Sequence, residues 1–154
     1  MHRRLVIVIA LGLLLIRAAA AQVELTVPAG PFKSEDRIES RVTNKSRLRI
    51  SYCVEFGQWS PLAGNLESTP VPFHVERNKS DKWHVLINGP DLGSSRHPIT
   101  QEAGSSNEFP FRLNDTGQMR LVLYYWPGDR SDVCSESTKG RKIAKSRVFS
   151  IVGN

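Results

Sequence analysis

The feature that most constrains this chain is a two-residue alternation of apolar and polar side chains, interrupted by turn-forming residues about every ten positions. Successive side chains of a strand point to opposite faces, so this pattern builds half-buried strands, and no segment shows a sustained helical period in its place. Val23, Leu25 and Val27 alternate before Pro28, and Ile38, Ser40 and Val42 alternate before Asn44-Lys45-Ser46. Beyond that turn signal Leu48, Ile50, Tyr52 and Val54 alternate with Arg47, Arg49, Ser51 and Cys53, so the two runs read as a strand pair. Phe73, Val75 and Arg77 lead into Asn78-Lys79-Ser80, and Trp83, Val85 and Ile87 leave it as the second arm of a hairpin. A register with Arg77 facing Asp81 puts Phe73 and Val75 on one face with Trp83 and Val85, and His74 and Glu76 on the other with Lys82 and His84. Phe109, Phe111 and Leu113, then Met119, Leu121, Leu123 and Tyr125, then Phe149 and Ile151 supply further inward-facing sets.

The stretches Gly57 to Pro72 and Asn88 to Asn107 are rich in proline, glycine and serine and read as long connections, the second mobile and holding at most a short strand near Pro98-Ile99-Thr100. Gly128 to Gly140 reads as a polar excursion. Seven to eight strands remain, which predicts an all-β fold, an immunoglobulin-like antiparallel β-sandwich.

The N-terminus has a different character. His2-Arg3-Arg4 precedes an unbroken apolar run from Leu5 to Ile16, and Ala18 to Ala21 follow ahead of Gln22. That layout predicts a signal peptide over residues 1–21 and an exported domain over residues 22–154. The 12 apolar residues fall short of the roughly 20 a helix needs to cross a bilayer, so no membrane insertion is expected after cleavage. Removing residues 1–21 takes away three arginines and no acid, so Lys+Arg falls from 21 to 18 against 15 Asp+Glu and the net charge from +6 to +3. A charge of that size does not point to a nucleic-acid partner. The expected location is secreted or periplasmic.

Two cysteines remain, Cys53 and Cys134. In an oxidising compartment they are expected to form a disulfide; two free thiols are the alternative.

Four stretches in this order, "VTNKSRLRISYC", "FHVERNKSDKWHV", "EFPFRLNDTGQMRLVLYYWPG" and "SRVFSIV", resemble the bacterial immunoglobulin-like (Big-type) domains of exported proteins. The resemblance covers nearly all of Val23 to Val152 and implies a non-catalytic binding or structural module. Its cysteines depart from the antibody pattern, since Cys134 falls well beyond the strand holding Tyr124 and Tyr125, so the bridge would tie a strand end to the last loop. The stretch Tyr124-Tyr125-Trp126-Pro127-Gly128-Asp129 also resembles the recognition loop of the immunoglobulin-fold cysteine-protease inhibitors, which implies an inhibitor acting through Trp126 and Pro127. The paired loop motifs of that family are absent here.

Recognition is therefore expected at loops around Trp59, Tyr125, Trp126 and Pro127, with an unidentified protein or a cell-surface polysaccharide as partner. Arg37, Arg41, Lys45, Arg47 and Arg49 form a basic stretch that could meet such a polymer or simply keep a sheet face soluble. His74 and His84 meet in the register above, but two imidazoles are too few for zinc. Asp129, Asp132 and Glu136 lack the spacing of a calcium loop. Asn44, Asn78 and Asn114 each begin a glycosylation pattern that matters only in a host that glycosylates. No catalytic, cofactor-binding or metal-ligating set is assigned, because no serine stands on a nucleophile elbow and no glycine pattern cradles phosphate. An enzyme is not expected; a secreted hydrolase stays as an alternative, since triads assemble from distant residues.

Overall fold

Strand β3 (Ile38–Asn44) follows the alternation closely: Ile38, Ser40, Val42 and Asn44 are buried while Glu39 and Arg41 are exposed. Strands β1 (Val23–Thr26) and β8 (Ser106–Phe111) pair antiparallel on its two sides and complete a three-stranded sheet. These strands belong to a computed structural model that describes residues 22–55, 71–86, 96–135 and 138–153. The expected signal peptide, Trp59 with most of the Gly57–Pro72 connection, and residues 87–95 lie outside the described residues.

The second sheet is organised around β9 (Gly117–Pro127), the longest strand described. Along one edge β5 (Phe73–Lys79) pairs with Met119 to Leu123, and β4 (Ile50–Glu55) takes over at Trp126 and Pro127. Along the other edge run β11 (Phe149–Val152) and β10 (Lys142–Lys145). The sheet is extended by β7 (Arg96–Gln101) on β4, β6 (Lys82–Val85) on β5, and the short β2 (Phe32–Lys33) parallel to β11.

The two sheets close on one apolar core. Val23, Leu25, Val42 and Phe109 from the smaller sheet meet Tyr52, Val75, Leu121 and Ile151 from the larger. Phe111 stacks edge-to-face on Phe73 at 5.3 Å and on Phe149 at 6.3 Å, so rings of opposite sheets interlock. The all-β, immunoglobulin-like class expected from the alternation is the class observed. Eleven strands are described rather than seven or eight, because β2 spans two residues, β10 reads as polar Lys-Ile-Ala-Lys, and the second long connection is itself structured.

That connection is the first correction. Residues 96–101 and 106–111 form β7 and β8, which bond to β4 and β3, so the described part of the expected mobile loop lies in the two sheets. Polar side chains at these edge positions concealed it. A second correction concerns β3 and β4, expected as partners: they lie in different sheets, and the chain crosses between them over residues 45–49. Leu48, read as inward-facing, is 62% exposed there.

The hairpin differs as well. Ser80 and Asp81 adopt φ of 51° and 61°, forming a two-residue turn of the kind whose twist matches the strands it joins. Glu76 therefore pairs with Val85, Arg77 with His84 and Asn78 with Trp83. This register moves Trp83 to the face carrying His74 and Glu76, and His84 to the other, so the two histidines do not meet. Glu76 pairs with Arg120, and Arg120 lies 4.1 Å over the Trp83 ring. Stacking on a cation compensates the indole for the burial it gives up.

Where the chain changes sheets the backbone leaves its ladders, and polar side chains satisfy the carbonyls left over. Asn44, fully buried, donates from Nδ2 to the carbonyls of Leu48 at 2.8 Å and Glu102 at 3.1 Å, with Gln101 at 3.4 Å, while its Oδ1 accepts from the backbone N–H and hydroxyl of Ser46. It thereby joins the crossings from β3 to β4 and from β7 to β8. Beside it Gln101 donates to the carbonyls of Val42 and Ser105 and accepts from the Tyr52 hydroxyl, which also accepts from Asn107 Nδ2. A glycan on Asn44 would displace these bonds, which removes one of the three glycosylation patterns from consideration.

Burial pushes the Tyr52 phenol up to about 12, and the Asn107 hydrogen bond opposes that only in part. The folded state holds this proton more tightly than the unfolded chain, whose phenol titrates near 10.0. The stabilisation is therefore complete below pH 10 and is lost as pH rises toward 12, to the extent of about 2–3 kcal/mol. Tyr52→Phe is expected to flatten the alkaline limb of a denaturant-stability profile. An unchanged limb in that variant would show that Tyr52 does not carry the dependence.

Candidate functional site

Along β9 the odd-numbered residues face the core, so Arg120, Val122, Tyr124 and Trp126 face outward. Val122 and Trp126 are nevertheless buried, at 2% and 4% exposure, and with Val133 they stand apart from the main core cluster. A second, smaller apolar patch thus lies on the outer face of the larger sheet.

The segment after β9 is anchored over this patch. Gly128, at φ 87°, ends the strand, and its N–H donates to the Arg49 carbonyl. Ser51 Oγ donates to the Gly128 carbonyl and accepts from the Arg130 N–H, both at 2.9 Å. The Arg130 guanidinium grips Asp132 and donates to the Lys139 carbonyl, which also accepts from the Trp126 indole N–H at 3.1 Å. The hydrogen bond from Arg130 holds the Asp132 carboxyl below the usual carboxylate range. The Cys53–Cys134 disulfide completes the anchoring and ties β4 to this segment as expected.

Between disulfide, patch and sheet opens a cleft of about 270 Å³, whose polar lining includes His74, Arg96, Tyr124, Ser135 and Arg141. The Arg141 guanidinium lies over the Tyr124 ring, its Cζ 4.2 Å from the centroid. His74 packs against the same ring at 5.3 Å, and its Nε2 is 3.6 Å from Glu76 Oε1, which is itself held by Arg120. The lining among the described residues carries basic side chains, a phenol and a hydroxyl, and no carboxylate. Its described lining sets a guanidinium and a phenol over an apolar floor of Val122, Trp126 and Val133.

The sequence-predicted recognition residues fall differently. Tyr125 and Trp126 belong to β9 and not to a loop, are 5% and 4% exposed, and Pro127 is the last residue of that strand. An inhibitory wedge needs an exposed Trp126, so the burial of its ring corrects that expectation. Tyr125 faces the core, where burial raises its phenol above the ordinary value. Trp59 lies outside the described residues. The basic stretch is divided between the sheets and largely neutralised: Arg37 pairs with Glu39, Arg41 with Glu108, Lys45 with Glu24 and Arg49 with Glu102. Asp129 accepts from Thr100 and Asp132 is held by Arg130.

Arg96 and Arg141 were not singled out from sequence, and Tyr124 entered only as the first residue of the expected recognition loop, not as part of this cleft. One signal could have found Tyr124: Val122, Tyr124 and Trp126 form a second apolar set offset by one from the core set, the mark of a strand covered on both faces. Arg96 and Arg141 are far apart in the chain and no local pattern unites them.

No protein-family model matches the chain, and no curated protein matches it. Among solved structures it is similar to the ASH / PapD-like domain of human CEP192 (PapD-like domain 7), at 8% sequence identity and a TM-score of 0.31, covering 86% of this chain and 84% of that one.

Proposed function

We propose that the chain is an exported, non-catalytic immunoglobulin-like binding module, of the kind bacterial Big-type domains provide, and that it recognises its partner through the cleft beside Cys53 and Cys134. The observation that carries this reading is the cleft itself, built on a disulfide, an anchored segment and a rigid strand rather than on free loops. Sites on such elements hold their geometry without a binding partner, which lowers the ordering cost of recognition. A cell-surface polysaccharide or another exported protein is the partner class. The apolar leader ahead of Gln22 and the disulfide support export. No helix among the described residues is long and apolar enough to cross a membrane.

The test is retention of the oxidised protein on immobilised cell-surface polysaccharides and on exported proteins, compared with a Ser135→Trp variant that fills the cleft. Wild type is expected to be retained and the variant released. Equal retention of a folded variant would move the recognition surface elsewhere, and turnover of an ester, peptide or glycoside probe would overturn the non-catalytic reading.

A further inference from the structure

Six arginines of the described residues, Arg37, Arg41, Arg49, Arg77, Arg120 and Arg130, are engaged by an aspartate or glutamate. Arg141 is arranged differently, stacked on Tyr124 at the rim of a cleft with no carboxylate among its described lining residues. A guanidinium held over an aromatic ring has already given up part of its rotamer freedom, and its planar fork matches the two oxygens of a carboxylate. The buried Val122, Trp126 and Val133 beneath it keep water from part of the site, which strengthens charge-assisted hydrogen bonds formed there. Arg96 and Ser135 also line the cleft. A volume of about 270 Å³ lies at the small end for ligand sites and suits a molecule of about monosaccharide size.

We infer that this cleft binds a small organic carboxylate, free or as the acidic sugar of a polymer, with Arg141 holding the carboxylate in a bidentate pair above Tyr124. The inference rests on the binding-module reading and names the ligand chemistry at the same cleft. His74 packs against the Tyr124 ring over which Arg141 lies, with its Nε2 3.6 Å from Glu76 Oε1.

The experiment is a titration of the oxidised protein followed by nitrogen-proton correlation spectra, with galacturonate, neutral galactose and inorganic sulfate as probes. Galacturonate is expected to shift the amides of Tyr124, Ser135 and Arg141 saturably, and galactose to leave them unmoved. Arg141→Lys keeps the charge but loses the flat fork, and is expected to weaken galacturonate binding about tenfold or more. Sulfate binding as tight as galacturonate, binding indifferent to Arg141→Lys, or no shift with galacturonate each overturns the inference. The polysaccharide and protein retention assay with Ser135→Trp, run on the same preparations, separates the two readings. Retention lost in Ser135→Trp without any galacturonate response defeats only the carboxylate assignment, while retention that ignores Ser135→Trp defeats the cleft itself.

Discussion

Replacing Asn44 by alanine is expected to destabilise the protein by about 2–4 kcal/mol, a large part of the 5–15 kcal/mol typical of a whole domain. The cause is the position of this side chain at both sheet crossings. Its amide donates to the Leu48 and Glu102 carbonyls, and alanine would leave each with one side-chain donor fewer, the Ser46 and Ser105 hydroxyls alone, and would strip the Ser46 N–H and hydroxyl of the Oδ1 acceptor. Asn44→Asp is the sharper test because it preserves shape. A carboxylate only accepts hydrogen bonds, so it would face those carbonyls as a repelling charge and should cost at least as much as alanine. Denaturant unfolding of both variants measures this directly. Aspartate behaving like the parent at neutral pH would show that Asn44 fills space without bonding the crossings.

Loss of the disulfide should have a comparable effect. Cys53 and Cys134 are 81 residues apart, and a bridge over that span restricts the unfolded chain enough to contribute ~4–5 kcal/mol in the entropic account, with about 2–5 kcal/mol typical when a native bridge is removed. The paired variant Cys53→Ala with Cys134→Ala is expected to unfold at clearly lower denaturant and to weaken any ligand bound in the cleft. The Arg130, Ser51 and Lys139 bonds still hold the segment after β9, so the fold should survive. An intact-mass comparison of alkylation before and after reduction reports the bridge independently. Unchanged stability, or alkylation of both thiols without reduction, would mean that the bridge does not staple the protein.

Much of the fold was legible in advance because strand periodicity is a local property. Ile38, Val42, Tyr52, Val75, Phe111 and Leu121 all face the core as their alternation predicts. The hairpin was legible in existence but not in register. Phe73 and Val75 are buried as expected, yet a two-residue turn at Ser80 and Asp81 placed Trp83 on the opposite face from them. Apolar pattern alone favours burying an indole and takes no account of Arg120, a cation 37 residues further along the chain that stabilises the ring near the surface. The pairing of β3 with β1 and β8 was likewise hidden, since alternation says which side of a strand is buried and not which strand lies beside it.

The sequence by itself determined the all-β class, the core positions and the two cysteines available for a bridge, because side-chain alternation and composition act over a few neighbouring residues. Tertiary structure alone decided the strand partners, the burial of Tyr125 and Trp126, and the neutralisation of the basic stretch by Glu24, Glu39, Glu102 and Glu108. It also decided the cleft, which draws His74 from β5, Arg96 from β7, Tyr124 from β9 and Arg141 from the residue just ahead of β10. The physical reason is the same in each case: burial and ion pairing depend on distance in space, and a sandwich brings together residues that are far apart along the chain.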